Sequence, residues 1–348
     1  MRLAWRNRGV LAALGAAFLF GAGTPAAKLL LGPVSPWLLA GLLYLGSGLG
    51  LAALRLLQRS EPVRLTLSER GWLIGAIVSG GIIGPALLMW GLANMPASGA
   101  SLLLNAEGVF TALLAWFVFR ENFDRRIALG MGLIVAGAIV LSWRGDAGSG
   151  VALPELAVLG ACLAWAIDNN LTRKVSLADA TFIAMVKGLT AGVVNTGLAL
   201  AFGGILPAMK IMIAAGGIGF LSYGVSLALF VVALRNLGTA RTGAYFSTAP
   251  FAGALIAIPL LSEPVTVQLT LAGVLMGAGV WLHLTERHDH RHTHVSLDHE
   301  HVHEHDAHHQ HPHPEGQSAD TSHQHPHVHE PSTHTHPHFP DTHHRHRH

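Results

Sequence analysis

Long apolar runs separated by short polar or glycine- and proline-bearing joints dominate the chain. Ten can be drawn, at about 10–31, 36–57, 71–92, 97–119, 126–143, 152–172, 179–202, 211–234, 239–261 and 265–284. Each is close to the ~20 residues that cross ~30 Å of hydrocarbon as a helix. None shows the period-two alternation of a membrane strand, and lipid offers no partner to an unpaired backbone group, so the runs predict helices. The expected fold class is an all-α integral membrane protein with ten transmembrane helices. The first run follows Arg2, Arg6 and Arg8. It is longer than the hydrophobic part of a signal peptide and is expected to stay as an uncleaved first helix.

Charge placement orients the spans. With the N-terminus inside, the inner segments hold 16 Lys and Arg, among them Arg55, Arg59, Arg120, Arg173, Lys174 and Arg235, against only Arg144 and Lys210 outside. An excess of Lys and Arg on the cytoplasmic side then puts both termini in the cytoplasm, as expected for a multi-pass protein of the inner (plasma) membrane. Composition agrees: 51% of residues are hydrophobic and 12% charged, where a soluble domain carries about 25% charged residues. The single cysteine, Cys162, lies inside a span, so no intrachain disulfide is available.

A shift of 142 residues aligns "LANMPASGASLLLNAEGVFTALLAWFVFRE" (92–121) with "LRNLGTARTGAYFSTAPFAGALIAIPLLSE" (234–263) without a gap; Asn94 meets Asn236 and Glu121 meets Glu263. Five spans per half is an odd number, so the halves must insert with opposite orientation. Two inverted five-helix repeats are expected, over 1–147 and 148–287, with a tail at 288–348. Such repeats are a recurrent plan of secondary transporters, with the binding site between the halves.

The stretch "SLLLNAEGVFTALLAWFVFRENF" resembles the fourth helix of the EamA-type family of the drug/metabolite transporter superfamily. "GAYFSTAPFAGALIAIPLLSEPVTVQLTLAGVLMGAGVWL" is similar to its ninth and tenth helices, and "ACLAWAIDNNLTRKVS" to the start of its second half. The resemblance, over about 8–285, implies ten helices, cytoplasmic termini and carrier-type movement of small metabolites, usually outward. The chain departs from the family pattern at Gly108, where proline often follows the glutamate, whereas the equivalent Pro250 is present. A helix break at Gly108 thereby loses its usual cause.

Charge within the bilayer costs ~2.5–3.5 kcal/mol at a helix centre, so such residues are candidates for function. Lys28 sits near the outer end of the first span, where it can snorkel. Glu107 lies about mid-depth, beside Asn105 and Gly108. A carboxylate there can exchange a proton and couple its entry to substrate exit, or it can be a structural group on opened backbone. Asp168 and Lys187 lie on consecutive antiparallel spans at similar depth and can pair, either as a structural ion pair or, with Asn169 and Asn170, as an inner gate or anion site. The spacings Gly71/Gly75, Gly80/Gly84, Gly188/Gly192 and Gly273/Gly277 suit close helix approach. Trp5, Trp37, Trp72 and Trp143 fall near span ends, as an aromatic belt would. No Walker loop, HExxH or nucleophile elbow occurs, so no enzyme is expected.

The tail changes the picture. Of 24 histidines, 23 fall in the last 61 residues, with nine acidic residues and three arginines, a net charge of −6 against +8 for residues 1–287. So polar a segment cannot bury enough surface to offset its ordering entropy and is expected to be disordered. Neutral imidazole suits Ni, Zn, Co and Cu, and His-x-His spacing brings two rings within reach of one ion. The candidate ligands are His288, His290, His292, His294, His299, His301, His303, His305, His308, His309, His311 and His313. Three readings stay open: a metabolite or drug carrier whose tail binds metal, a Ni, Co or Zn efflux carrier whose tail collects its cargo, and a membrane-anchored metal store or sensor. The spans offer only His283 and Cys162 as soft ligands, which favours the first over the second. Transport itself is expected to need no cofactor. The implied partners are the lipid bilayer, a small-molecule substrate and divalent metal ions, with a homodimer left open and no nucleic acid.

Cysteines placed singly at 145–150 and 204–208 should label with an impermeant thiol reagent from outside intact cells, and those at 120–126 or in the tail should not. The reverse pattern would invert the topology.

Overall fold

The computed structural model describes residues 2–60, 63, 65–119, 125–143, 153–175, 179–237, 242 and 245–284, together with the backbone of 289–293, 297–303, 323–329 and 333–337. The helices run α1 (Arg2–Lys28), α2 (Pro36–Leu57), α3 (Leu67–Ala76), α4 (Gly84–Ala93), α5 (Ala97–Leu103), α6 (Ala106–Phe119), α7 (Arg125–Ser142), α8 (Leu153–Thr172), α9 (Ala180–Ala201), α10 (Met209–Gly219), α11 (Ser226–Leu237), α12 (Ala249–Leu261) and α13 (Val267–Leu284). A π-helical segment, Ile77–Ile83, fuses α3 to α4, and a second, Phe220–Val225, fuses α10 to α11. Among the described residues six helical runs are long and apolar enough to cross a membrane: Arg8–Lys28, Pro36–Leu57, Leu67–Ala93, Ala97–Leu114, Ala180–Ala201 and Met209–Ala233. Shorter apolar helices occupy Ala128–Ser142, Ala249–Leu261 and Val267–Leu282.

These helices are apolar on nearly every face, as lipid-embedded helices are. The inward faces make one main core, including Leu38, Leu39 and Leu43 of α2, Leu88 and Met89 of α4, Val158 of α8 and Met276 of α13. Large apolar side chains such as Ile74, Val193, Leu255 and Val274 stay exposed on the outside. Helices α2 and α9 pack backbone to backbone. A Cβ at Gly188 would lie 2.8 Å from Gly48 Cα, and one at Gly192 2.5 Å from Leu45 N, so only glycine permits this approach. The expectation does not extend to every glycine pair: Gly71 faces open space, and a Cβ at Gly273 or Gly277 would sit 3.8 Å from its nearest neighbour.

The fourth apolar run is broken at Leu104–Asn105, three residues before the position at which the family pattern would put a proline break. Helix α6 runs unbroken through Gly108, which has open space where a side chain would go. A second two-residue turn, Ser247–Thr248, precedes α12. The two turns, like the two π-helical segments, lie within one residue of the 142-residue offset between the matching stretches of sequence.

Trp72 and Trp143 are exposed, as a belt requires. Trp37 is turned inward instead, with Nε1 3.0 Å from Asn195 Oδ1 and its ring stacked 5.6 Å from Phe202. The side chain of Trp5 lies outside the described residues.

Residues 287–348 form a unit separate from 1–286. In the described parts of the tail, Asp289–Thr293 pairs antiparallel with Thr333–Pro337, and Leu297–His303 with His323–His329. Alternating His-x-His matches the period of a strand, and strands polar on both faces hold their register weakly.

Candidate functional site

The site is organised by a backbone irregularity. Pro85 carries no N–H, so the carbonyls that it would serve in an α or a π register, Gly81 O and Gly80 O, lose their helical donor. The Gly84 N–H bonds back to Ser79 O, in the π pattern. Three neighbouring helices supply what is missing. Tyr44 OH from α2 and Trp165 Nε1 from α8 donate to Gly80 O at 3.0 and 2.8 Å, and Asn195 Nδ2 from α9 donates to Gly81 O at 3.0 Å. Ser79 Oγ in turn donates to Ala164 O at 2.6 Å. The bulge therefore pins α2, α8 and α9 around one point.

The charged groups gather beside that point. Lys187 Nζ of α9 lies 2.6 Å from both carboxylate oxygens of Asp168 on α8, and Thr172 Oγ1 donates to Asp168 Oδ1 at 2.8 Å. A Cβ at Gly80 would collide with the Asp168 carboxylate, so the glycine makes room for the ion pair. Glu107, in the first turn of α6, accepts from Asn169 Nδ2 at 2.8 Å, and Thr111 Oγ1 is 3.5 Å from the same amide. Its carboxylate is within electrostatic reach of Asp168 and Lys187. Asp168 is buried, whereas Asn169 and Gly108 are exposed and Glu107 keeps part of its surface. Glu107 is therefore the one of this cluster's two described carboxylates that keeps surface of its own, although protein atoms crowd its carboxylate.

The remaining expected residues divide. Asn170 is buried and ties α8 to α6, its Nδ2 donating to Ala166 O at 2.9 Å and Thr111 O at 3.4 Å. Asn105 stands apart at the helix break, buried, with Nδ2 on Leu102 O at 2.9 Å. Lys28, half-buried, reaches the end of α4, where its ammonium donates to Leu92 O, to Ala93 O at 3.2 Å and to Met95 O at 3.0 Å. Just beyond, α5 begins after Pro96, which has no side-chain acceptor, and Glu263 takes its first N–H groups, Ala97 N at 2.6 Å and Ser98 N at 2.9 Å. Ser262, left-handed at φ 53°, ends α12 and turns Glu263 toward that helix start. Opposite charges thus cap opposite helix ends, as their dipoles favour. Glu121, the sequence partner of Glu263, lies outside the described residues.

At the other end of the bundle Arg55 latches α2 to the start of α9, 2.9 Å from Asp179 Oδ1, 2.8 Å from Thr181 Oγ1 and 5.5 Å from the Phe182 ring centre. Burial works to raise the Asp179 carboxyl, but the Thr181 hydroxyl, the Phe182 N–H and the Arg55 guanidinium together hold it below the usual carboxylate range.

Of the expected metal ligands, His290, His292, His299, His301 and His303 lie on described strands, opposite His336, His334, His327, His325 and His323 along the backbone. The positions of His288, His294, His305, His308, His309, His311 and His313, and all tail side chains, lie outside the described residues.

Sequence reasoning missed Tyr44, Trp165, Asn195 and Thr111. A signal for three of them exists in "SGGIIGP" (79–85): a proline behind paired glycines frees carbonyls in mid-span, and polar side chains elsewhere must answer them. Which ones do so depends on the packing.

Helices of this length and hydropathy, enclosing an ion pair with a further carboxylate beside it, define a multi-pass membrane protein built around a polar centre. The sequence matches the EamA-like transporter family twice, over residues 7–143 and 152–285, and the chain belongs to that family. It is 29% identical over 302 residues, 81% of this chain and 87% of the relative, to an uncharacterized transporter of Methanothermobacter thermautotrophicus. A shorter match, 35% identical over 83 residues, covers 24% of this chain and 28% of a probable amino-acid metabolite efflux pump of Salmonella typhimurium. A protein crystal structure shares the fold, with TM-score 0.59 at 18% identity over 79% of this chain and 94% of that one.

Asp168→Asn and Lys187→Met should each lower the thermal stability of the purified protein, by about 3–5 kcal/mol, because each strands a partly buried charge. The double variant should recover part of that loss. Additive effects in the double-mutant cycle would mean that the pair contributes no coupling.

Proposed function

We propose that the protein is a secondary transporter of the inner membrane that exports a small metabolite in exchange for protons, with Glu107 as the coupling carboxylate. The carrying observation is the placement of Glu107: half-buried, bonded to Asn169, and beside a Lys187–Asp168 pair in which the one cation of the cluster, among the described residues, is already engaged. Ten spans in two inverted five-helix repeats, over 1–147 and 148–287 with both termini cytoplasmic, suit this reading. The double family match and the similar spacing of the π-helical segments and turns support it. The efflux pump of Salmonella typhimurium supports an outward direction and a metabolite cargo. Asn105 then serves the helix break, and Asn169 and Asn170 hold α6 against α8 at the site.

Glu107→Gln should insert and melt like the parent protein while losing pH-driven transport. The assay is uptake into inverted vesicles of a panel of amino acids, amines and divalent metals under an imposed pH gradient. Retained wild-type pH dependence in this variant would leave Glu107 a structural residue.

The tail is read as a separate metal-binding segment for Ni, Zn, Co or Cu that modulates transport. Among the described residues no three His, Cys, Asp or Glu side chains come together as a metal would require. Cys162 is buried, with Sγ against Leu103 O at 3.5 Å. These observations favour a metabolite cargo over a metal cargo. A peptide spanning 288–348 should bind several Ni or Zn ions reversibly by calorimetry, far above Mg or Ca, and release them toward about pH 5 as the imidazoles become charged. Truncation after Arg287 should leave metabolite transport intact and abolish its response to metal. Loss of metal export at low metal with metabolite transport absent throughout would favour the efflux reading instead.

A further inference from the structure

The four described strands of the tail pair first with last and second with third. Both ladders keep one register: the partners' residue numbers add to 626 throughout, from Asp289 with Pro337 to His303 with His323. On that register histidine meets histidine. His290 and His292 stand opposite His336 and His334. His299, His301 and His303 stand opposite His327, His325 and His323. Every histidine of the first two strands thus has a histidine as its partner.

Alternate positions of a strand share a face. The His–His rungs of each ladder therefore lie on one face, and Asp298, Glu300 and Val302 belong to the other. A slip of one residue would leave no such rung: His299 would come opposite Pro326 or Val328, and His292 opposite Thr333 or Thr335. Little else holds the pairing. Strands polar on both faces do not choose a register by burial, and a two-stranded ladder is only marginally stable in water. What is missing is a crosslink, and two neighbouring rungs offer one. Their four Cα positions form a rectangle about 5 Å across and about 7 Å along the strands. A four-coordinate divalent ion takes imidazole nitrogen at about 2.0–2.1 Å, a shell that four such side chains can share. One strand alone supplies two or three same-face histidines; the register supplies the rest.

We infer that the register builds a four-imidazole site for a divalent transition metal in each ladder, and that the metal locks the two arms of the tail together. His290, His292, His334 and His336 make the first site. In the second, His301 and His325 act with one neighbouring rung, His299 with His327 or His303 with His323. Half of the ligands thus come from beyond the His-x-His run of 288–313. This rests on the metal-binding reading of the tail, and adds to it fixed ligand sets and a metal-dependent fold, in which binding energy is folding energy.

The test uses the full-length protein, stripped of metal by a chelator, in lipid nanodiscs without any histidine tag, with Zn ions as the probe. Calorimetry of the parent should show two tight sites ahead of any weaker ones. Exchanging one neighbouring pair, His301→Val with Val302→His, keeps the composition but leaves no two adjacent His–His rungs in the second ladder. This variant should keep one tight site and weaken the other by about tenfold or more. Nitroxide labels on Asp298→Cys and Val328→Cys, opposite each other in the ladder, report the pairing in a Cys162→Ala background. They should show strong dipolar broadening with Zn and lose it on chelation, while labels on Asp298→Cys and Gln310→Cys, nearer in sequence, should broaden less. Unchanged binding in the exchanged variant, or equal broadening in the two label pairs, would overturn the paired sites and leave a metal-binding tail without fixed ligands. Broadening indifferent to Zn would overturn the metal lock. Absence of Zn binding to the full-length protein would overturn both the sites and the metal-binding reading.

Discussion

The structure depends on one constraint: a carbonyl freed inside a lipid-embedded helix has no water to turn to. Pro85 frees Gly80 O and Gly81 O, and each unmet acceptor would cost about 1–3 kcal/mol. The hydroxyl of Tyr44, the indole of Trp165 and the amide of Asn195 meet that demand from three different helices. Because the donors must arrive at fixed distances, the bulge sets how α2, α8 and α9 stand relative to the α3–α4 rod. The Asp168–Lys187 pair then falls against the side-chain-free surface of Gly80. π-bulges occur often at functional sites, and here the reason is visible: the irregularity imports polar side chains into a region whose sequence is otherwise apolar.

Polar groups elsewhere follow the same rule. Lys28 closes the carboxyl end of α4 and Glu263 closes the amino end of α5, so the joint between two spans of the first half is completed by a residue of the second. Asp179 starts α9 and holds Arg55 at the end of α2. Between these joints, glycine lets α2 and α9 touch along their backbones. Rigid packing on that side contrasts with the face of α6 carrying Glu107, Gly108 and Thr111, where space remains. A carrier needs both, a fixed frame and an accessible polar surface.

The core and the tail obey different solvents. Residues of the spans are chosen for hydrocarbon, and among the described residues Lys28, Glu107, Asp168 and Lys187 are engaged by named partners. The tail is chosen for water, with imidazoles and carboxylates interleaved and almost no large apolar side chain. The bundle's family relationship extends over 7–143 and 152–285, without the tail.

Much was legible in the sequence. Apolar length alone specifies membrane helices, because nothing else saturates the backbone in lipid, and the 142-residue offset of the self-match recurs, within one residue, in the spacing of the two π-helical segments and of the two turns. The cost of intramembrane charge singled out Glu107, Asp168 and Lys187, and the adjacency of two antiparallel helices anticipated that the latter two could meet. The tertiary structure decided the rest. It put a helix break at Leu104–Asn105, set Lys28 onto carbonyls, and placed Asn105 at the turn. It also recruited Tyr44, Trp165 and Asn195, which no local pattern marks. Local sequence determines where a helix must run and which charge is expensive. Only the three-dimensional packing determines which distant side chain is near enough to satisfy an exposed carbonyl or carboxylate, because that distance depends on helices far apart in the chain.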